Sequence, residues 1–305
     1  MSTLTEQVKD YARSQGADLC GLAAAEDLDG YFTAPHRARD LLPEVKSVVV
    51  AALHIPDGSL EAQRAGITNY SYGMFGYAYL NREMDFVAYR LTRFLESAGY
   101  RALPIPARGT HYWEKKKYHG PFSFRHAAVA AGLGVFGWSG LVLTPRFGSR
   151  QRFIAVLTDA PLVKDPPLEE NPCLGCDDCI RNCPAGAISK KPWICTLGGR
   201  TYSYGTVDGD RCAWVAKGMT TKAWPGAPFN LEVNVPRPER YDAAAKFRAT
   251  WEERDPRLRC SEHDEGNYGA TLCGRCMIFC RAGIRAMERR LAKREETAHP
   301  PDRAD

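Results

Sequence analysis

Chemistry enters this sequence through cysteine. There are 11, and four stand in one unbroken run, Cys173-Leu-Gly-Cys176-Asp-Asp-Cys179-Ile-Arg-Asn-Cys183-Pro184. The spacing C-x2-C-x2-C-x3-C-P is that of bacterial cubane iron–sulfur sites. Three thiolates at this spacing each take a corner of one cluster. The fourth, ahead of the proline, points to a second. Structural zinc prefers paired C-x2-C knuckles, so the run reads as iron–sulfur rather than zinc or four unrelated thiols.

A second run, Cys273-Gly-Arg-Cys276-Met-Ile-Phe-Cys280, supplies three more thiols as C-x2-C-x3-C. In two-cluster arrangements the last cysteine of each run crosses to the other cluster. Cys173, Cys176 and Cys179 are therefore expected to take Cys280, while Cys183 joins Cys273 and Cys276 on a second [4Fe-4S] cluster. The last ligand of that second cluster must come from Cys195, Cys212 or Cys260, and spacing alone does not choose. Cys280 is followed by Arg281 where the usual run has proline. Crossed runs hold two clusters close together, which is the arrangement of an electron relay.

The rest of the chain must position these thiols and hold what the relay feeds. Its 305 residues suffice for two domains and a full core. Apolar residues make up 44% and charged residues 25%, an ordinary globular composition that argues against disorder. The net charge of +5 allows an anionic substrate or nucleic acid without demanding one. Seven of the 11 cysteines fall in the two runs, which argues for metal ligation over a secreted disulfide framework. No apolar run reaches the roughly 18 residues of a membrane span. The N-terminus shows no basic segment ahead of an apolar core and no twin-arginine pair, so a cytoplasmic location with no membrane partner is expected. Residues 1–162 are expected to form an α/β cofactor and substrate domain, 163–296 the cluster domain and 297–305 a flexible tail.

Thr3-x-x-Glu6 is a capping box for a first helix that Gly16 ends. Strands are expected over 17–23, 46–54 and 101–105, a short helix over 36–42 and a long amphipathic one over 77–98. Cys20 reads as a small core residue. Residues 56–76, rich in Gly, Tyr and Ser, read as a loop. The nearby Tyr70, Tyr72, Tyr77 and Tyr79 are read as packing onto the core, with lining of a planar cofactor as the sharper alternative. A helix is expected over 123–131, and Leu141–Thr144 is expected to pair with Arg152–Thr158 around a Pro145–Gly148 turn. Residues 161–172 form a proline-rich link. The stretch 195–260 shows little periodicity, and 285–296 reads as a charged helix.

Two stretches between these elements suit a site. Residues 107–122 form a basic loop with Arg108, His111, Tyr112, Lys115, Lys116, Lys117, Tyr118 and His119. Gly132, Gly134, Gly137 and Gly140 fall within nine residues and permit close backbone approach. Their G-x-G-x-x-G follows a helix rather than a strand, so a dinucleotide fingerprint is rejected.

From about residue 5 to 283 the chain resembles the epoxyqueuosine reductases and the corrinoid-dependent reductive dehalogenases. The resemblance rests on 42–50 (LPEVKSVVV), 126–137 (HAAVAAGLGVFG), 143–150 (LTPRFGSR), 157–162 (LTDAPL) and Val207-Asp-Gly-Asp-Arg211-Cys212. The last match selects Cys212 as the missing ligand. The resemblance implies an α+β fold, with a nitroreductase-like, cobalamin-binding core followed by a ferredoxin-like double [4Fe-4S] domain. It implies a base-off cobalamin reduced through the clusters, an external donor of the ferredoxin or flavodoxin type, and a small-molecule substrate; the alternative is an electron-transfer or corrinoid-reactivating iron–sulfur protein without its own small substrate. Gly132, Gly134, Gly137, Ser139 and Gly140 become the residues expected near the corrin. Epoxyqueuosine reductases carry an acidic residue after the strand matching 101–106, where this sequence has Ala107-Arg108-Gly109, and they continue into helical repeats. Both departures disfavour a tRNA substrate. Dehalogenases use a tyrosine assisted by a basic residue, for which Tyr118 with Arg108 is the choice here.

Overall fold

The structure, a computed structural model, describes residues 2–68, 70–107, 120–216, 223–224 and 273–298. The helix α1 (Leu4–Ser14) opens on the expected capping box: the Thr3 N–H donates to Glu6 and the Glu6 N–H donates to Thr3 Oγ1. Then come β1 (Leu19–Ala24), α2 (Ala25–Asp29), α3 (Ala38–Leu41) and β2 (Ser47–His54). α4 (Asp57–Arg64), α5 (Tyr70–Gly73) and a π-turn (Met74–Ala78) run into α6 (Tyr79–Ser97). β3 (Ala102–Ile105), α7 (Phe124–Ala130), β4 (Val135–Phe136), β5 (Val142–Leu143) and β6 (Gln151–Thr158) follow. The cysteine-bearing part holds α8 (Asp178–Arg181), β7 (Ile188–Leu197), β8 (Arg200–Val207), α9 (Gly209–Ala216), α10 (Arg275–Ile278) and α11 (Arg281–Ala298).

The fold is α+β. Its main sheet has the order β1-β2-β6-β3, with every pairing antiparallel. Alternation sorts the side chains onto two faces. Val49, Ala51, Leu53, Ile154 and Val156 pack with Val8 and Ala12 of α1 and with Met84, Val87 and Leu91 of α6. Val48, Val50, Ala155 and Leu157 face α7 and, beyond it, Cys195, Leu197, Tyr202 and Tyr204 of the β7–β8 hairpin. Helices and the hairpin thus cover both faces, which is why β2 reads as one apolar run. A third core joins Ile55, Leu60 and Tyr72 to Val215, Trp224, Met277 and Ile278, so the second cysteine run is packed directly onto the N-terminal half.

Three expectations are corrected. Residues 56–76 are not a loop but hold α4, α5 and most of the π-turn. Of their glycines, Gly76 serves packing: a Cβ there would lie 2.4 Å from the Tyr72 ring. The strand at 142–143 pairs with β4 and not with β6, whose two edges are taken by β2 and β3. The turn itself is present, closed by mutual hydrogen bonds between Thr144 and Gly148. Within 195–260, β8 and the end of β7 form a regular hairpin that a lack of periodicity hid. Gly198 and Gly199, both with positive φ, are the two-residue turn that would have revealed it. Cys195 lies in this hairpin and is buried in the main core.

A buried ionic network docks α11 onto the sheet. Arg150 is 0% exposed and donates to Asp57 Oδ1 (2.9 Å) and Glu61 Oε1 (2.6 Å). Arg290 of α11 reaches the other oxygen of Asp57, 2.5 Å away, with His54 alongside at 3.4 Å. Beside it Gly148, at φ +58°, lies against Gly283, and a Cβ there would come within 2.5 Å of the Gly283 backbone. Gly148→Ala is therefore expected to destabilise the protein by about 1–3 kcal/mol, read as a lower chemical-denaturation midpoint. Among the described residues no helix is long and apolar enough to cross a membrane.

Candidate metal centre

The two cysteine runs fold into the same local shape. In the first, Asp177 adopts φ 58°, ψ 7° and starts α8; in the second, Gly274 adopts φ 57°, ψ 0° and starts α10. Each short helix then ends alike, at Asn182 (φ −90°, ψ 4°) and Phe279 (φ −91°, ψ 4°). Cys176, Cys179 and Cys183 thereby match Cys273, Cys276 and Cys280 in local geometry. Arg275 ties the halves together: its Nε donates to the Asn182 carbonyl at 3.0 Å and its Nη1 to the Ala223 carbonyl at 2.9 Å. The ring of Trp224 stacks on the guanidinium, 4.7 Å away. A side chain at 274 would strike Tyr72, so glycine at that left-handed position also lets the tyrosine lie on the run.

The thiols gather in two quartets. Cys173, Cys176, Cys179 and Cys280 line one cavity with Gly137, Trp138, Ser139 and Leu143. Burial pushes the Cys179 thiol up to about 11, and the neighbouring Cys280 and Cys173 add to it. Cys280 is raised by burial too, but the N–H groups of Gly283 and Ala282 and the Ser149 hydroxyl oppose this. Such donors at the start of α11 would favour a ligated thiolate. In the second quartet burial, then Cys273, Cys212 and Cys183, drive the Cys276 thiol well above its ordinary value. Cys273 is pushed up to about 12, by burial first and then by Cys212 and Cys183, against the backbone N–H of Arg275. The Ala187 N–H lies 3.3 Å from the Cys183 sulfur.

Of the three thiols weighed for the eighth place, Cys212 is the one brought to Cys183, Cys273 and Cys276. Cys195 is pushed up to about 11 by burial in the core, and Cys260 lies outside the described residues. Cys20, buried in β1 and raised to about 12, is the inert core thiol expected. A single zinc ion needs all its thiolates about 2.3 Å from one centre. Among the described residues no three side chains of His, Cys, Asp or Glu are placed to hold one ion.

The glycine turn borders the first quartet, with Gly137 and Ser139 in its wall. Each glycine also has a protein neighbour that excludes a side chain. A Cβ would meet the Pro166 carbonyl from Gly132, the Leu143 carbonyl from Gly134, the Leu143 side chain from Gly137 and Arg125 from Gly140. These glycines are thus explained by the protein's own packing, and they give no separate argument for a corrin. Arg108 and Tyr118 lie outside the described residues. The two ends of their loop are anchored. Asp85 accepts the Ala107 N–H at 2.7 Å. At the other end Ser123 Oγ lies 2.6 Å from Nδ1 of the buried His126, which stacks on Tyr31. Burial, with Arg125 adding, pushes His126 down to about 3, so the ring is neutral at pH 7. A cavity of about 430 Å³ opens there, lined by Phe32, His36 and residues 120–126.

The sequence missed a polar group on the α6 side. Arg152 of β6 lies over the Tyr77 ring, 4.1 Å from its centre. One turn further along, Asn81 is 0% exposed, and both of its amide atoms lack hydrogen-bond partners, as does Arg152 Nε. Tyr72 links this group to the second quartet, feeling Arg152 and Tyr77 on one side and Cys276 and Cys273 on the other.

No family model matches the chain. It is 33% identical over 186 residues to a tetrachloroethene reductive dehalogenase of Desulfitobacterium hafniense, covering 57% of this chain and 31% of that protein. It is 27% identical over 212 residues to the epoxyqueuosine reductase of Bacillus subtilis strain 168, covering 61% and 51%. A solved epoxyqueuosine reductase with a tRNA-Tyr epoxyqueuosine-modified stem loop superposes at TM-score 0.53 and 20% identity, over 98% of this chain and 86% of that one. A catabolic reductive dehalogenase with bound 3-bromo-4-hydroxybenzoic acid does so at 0.54 and 19%, over 94% and 36%. By sequence its relatives are both reductive dehalogenases and epoxyqueuosine reductases, and its structural neighbours include both. The chain shares its fold with these solved structures. The chain spans about a third to a half of the curated relatives just described.

Proposed function

We propose that the protein is an iron–sulfur oxidoreductase. [4Fe-4S] clusters on the two quartets would pass electrons to a base-off cobalamin in the N-terminal half, where a small molecule is reduced. The observation that carries this reading is the crossed pair of quartets, packed through Tyr72 against the sheet domain. Desolvation holds the Cys179, Cys212, Cys273, Cys276 and Cys280 thiols above their ordinary value, so they resist ionisation until a metal supplies positive charge, and iron binding would organise both runs. A bound corrinoid would supply a strongly reducing cobalt centre.

Asn81 and Arg152 support a ligand beside Tyr72. Buried amides ordinarily find partners for both donor and acceptor, and an amide-fringed ring edge offers both at once. Arg152, held over Tyr77, would meet a carbonyl or an anionic oxygen. The 430 Å³ cavity at the foot of the 107–122 loop falls in the small-molecule range of about 300–1,000 Å³. Tyr118 is proposed as proton donor with Arg108 as its partner. A phenol titrating near 10 holds its proton at neutral pH, and a cation eases the charge left behind. Electrons would come from a donor of the ferredoxin or flavodoxin type.

Anaerobic reconstitution with iron, sulfide and cobalamin tests the reading. Iron of about eight per chain is expected for two cubanes, with cobalt near one. Both clusters present without retained cobalt would sink the corrinoid step.

A further inference from the structure

We infer that the basic face of α11, together with the cleft beside it, is the docking surface for a small acidic electron-carrier protein. The inference rests on the cluster reading of the quartets. α11 starts directly after Cys280, so its first turn touches the first quartet. From there Arg285, Arg289 and Lys293 recur every four residues on the exposed side of the helix. Arg285 and Lys293 form no ion pair with any described residue. The neighbouring arginines are otherwise engaged, Arg281 on Asp178 and Arg290 on Asp57.

Between this helix and the linker lies a cleft of about 410 Å³. Arg285 and Arg289 form one wall; Pro172, Leu174 and Glu170 are on the other. Leu174, next to Cys173, is 43% exposed at its rim. Exposed arginines beside an exposed leucine, next to the sulfurs of one quartet, suit a carrier with an acidic rim and an apolar centre. The position favours this partner over nucleic acid, since electron transfer needs contact close to the cluster and phosphate binding does not.

Stopped-flow reduction of the reconstituted holoprotein provides the test, with a reduced acidic ferredoxin as probe and methyl viologen radical as a small cationic control. At low ionic strength R285E/R289E is expected to slow reduction by the ferredoxin about tenfold or more and to flatten its salt dependence. Reduction by methyl viologen should stay within about twofold. R285E/K293E, which keeps the bond from Arg289 to the Pro145 carbonyl, should act alike if the first variant folds poorly. R90E/R93E makes the same charge change on α6 and should leave both rates unchanged. Equal ferredoxin rates in wild type and R285E/R289E, or equal slowing by R90E/R93E, would overturn the inference. So would loss of binding to an RNA stem-loop in R285E/R289E with ferredoxin reduction intact. Wild-type protein without viologen-reducible iron would instead fail the cluster reading, before any variant is compared.

Discussion

Cys276→Ala is expected to halve the iron of the reconstituted protein, from about eight to about four per chain, and to stop electron delivery. Cys276 is crowded by Cys273, Cys212 and Cys183, and no spare described thiol stands beside it. Pairs of substitutions then test the crossing. C273A/C276A removes two ligands of one cluster and should remain near four irons. C276A/C280A removes one ligand from each quartet and should fall towards none, although Cys276 and Cys280 are near neighbours in the sequence. If C276A/C280A also kept about four irons, the two would serve one cluster and the crossed assignment would be wrong. Cys195→Ala, in the main core, should keep all the iron and cost about 1 kcal/mol of stability.

Arg150→Met should be the most damaging change outside the thiols. The guanidinium is fully buried and holds Asp57 and Glu61, so its loss leaves two carboxylates facing each other and loosens the seat of Arg290. Removing one partner of a buried pair costs about 3–5 kcal/mol. Both carboxylates keep about a quarter of their side-chain exposure, which places the expected loss near the lower end, about 3 kcal/mol. Denaturant unfolding of the wild type and the variant measures it.

The same network sets an acid limit. Burial alone would raise the Asp57 carboxyl, but hydrogen bonds from His54, Arg150 and Arg290 outweigh it and hold the group well below the usual carboxylate range. Glu61 is likewise lowered, by Arg64 and Arg150 against burial. A group depressed in the folded state stabilises fully above its unfolded value, about 4 for a carboxylate, and loses that contribution as the pH falls through its folded value. The gap in stability between wild type and Arg150→Met should therefore be constant from about pH 5 to 7 and shrink below about pH 4. A gap that grew on acidification would contradict this assignment.

The sequence by itself determined the parts whose signal is local. The first cysteine run carries the proposed cluster chemistry in its spacing, because a cubane needs ligands a few residues apart. Thr3 and Glu6 mark the first helix because capping is settled within one turn. β2 shows as an unbroken apolar run because both of its faces are covered. Tertiary structure alone decided what depends on distant partners. Strand 142–143 finds β4 rather than β6, because β6 already has a neighbour on each edge. The glycines at 76, 132, 134 and 274 look like flexible loop in the sequence. In the fold they are places where a ring or a carbonyl comes too near for a side chain. Asn81 and Arg152 give no sequence signal, since an unpaired buried amide is visible only once its neighbours are known. The gathering of Cys212 with Cys183, Cys273 and Cys276 is of the same kind: thiols up to 93 residues apart meet only because Tyr72, Met277 and Trp224 pack the second run onto the sheet domain.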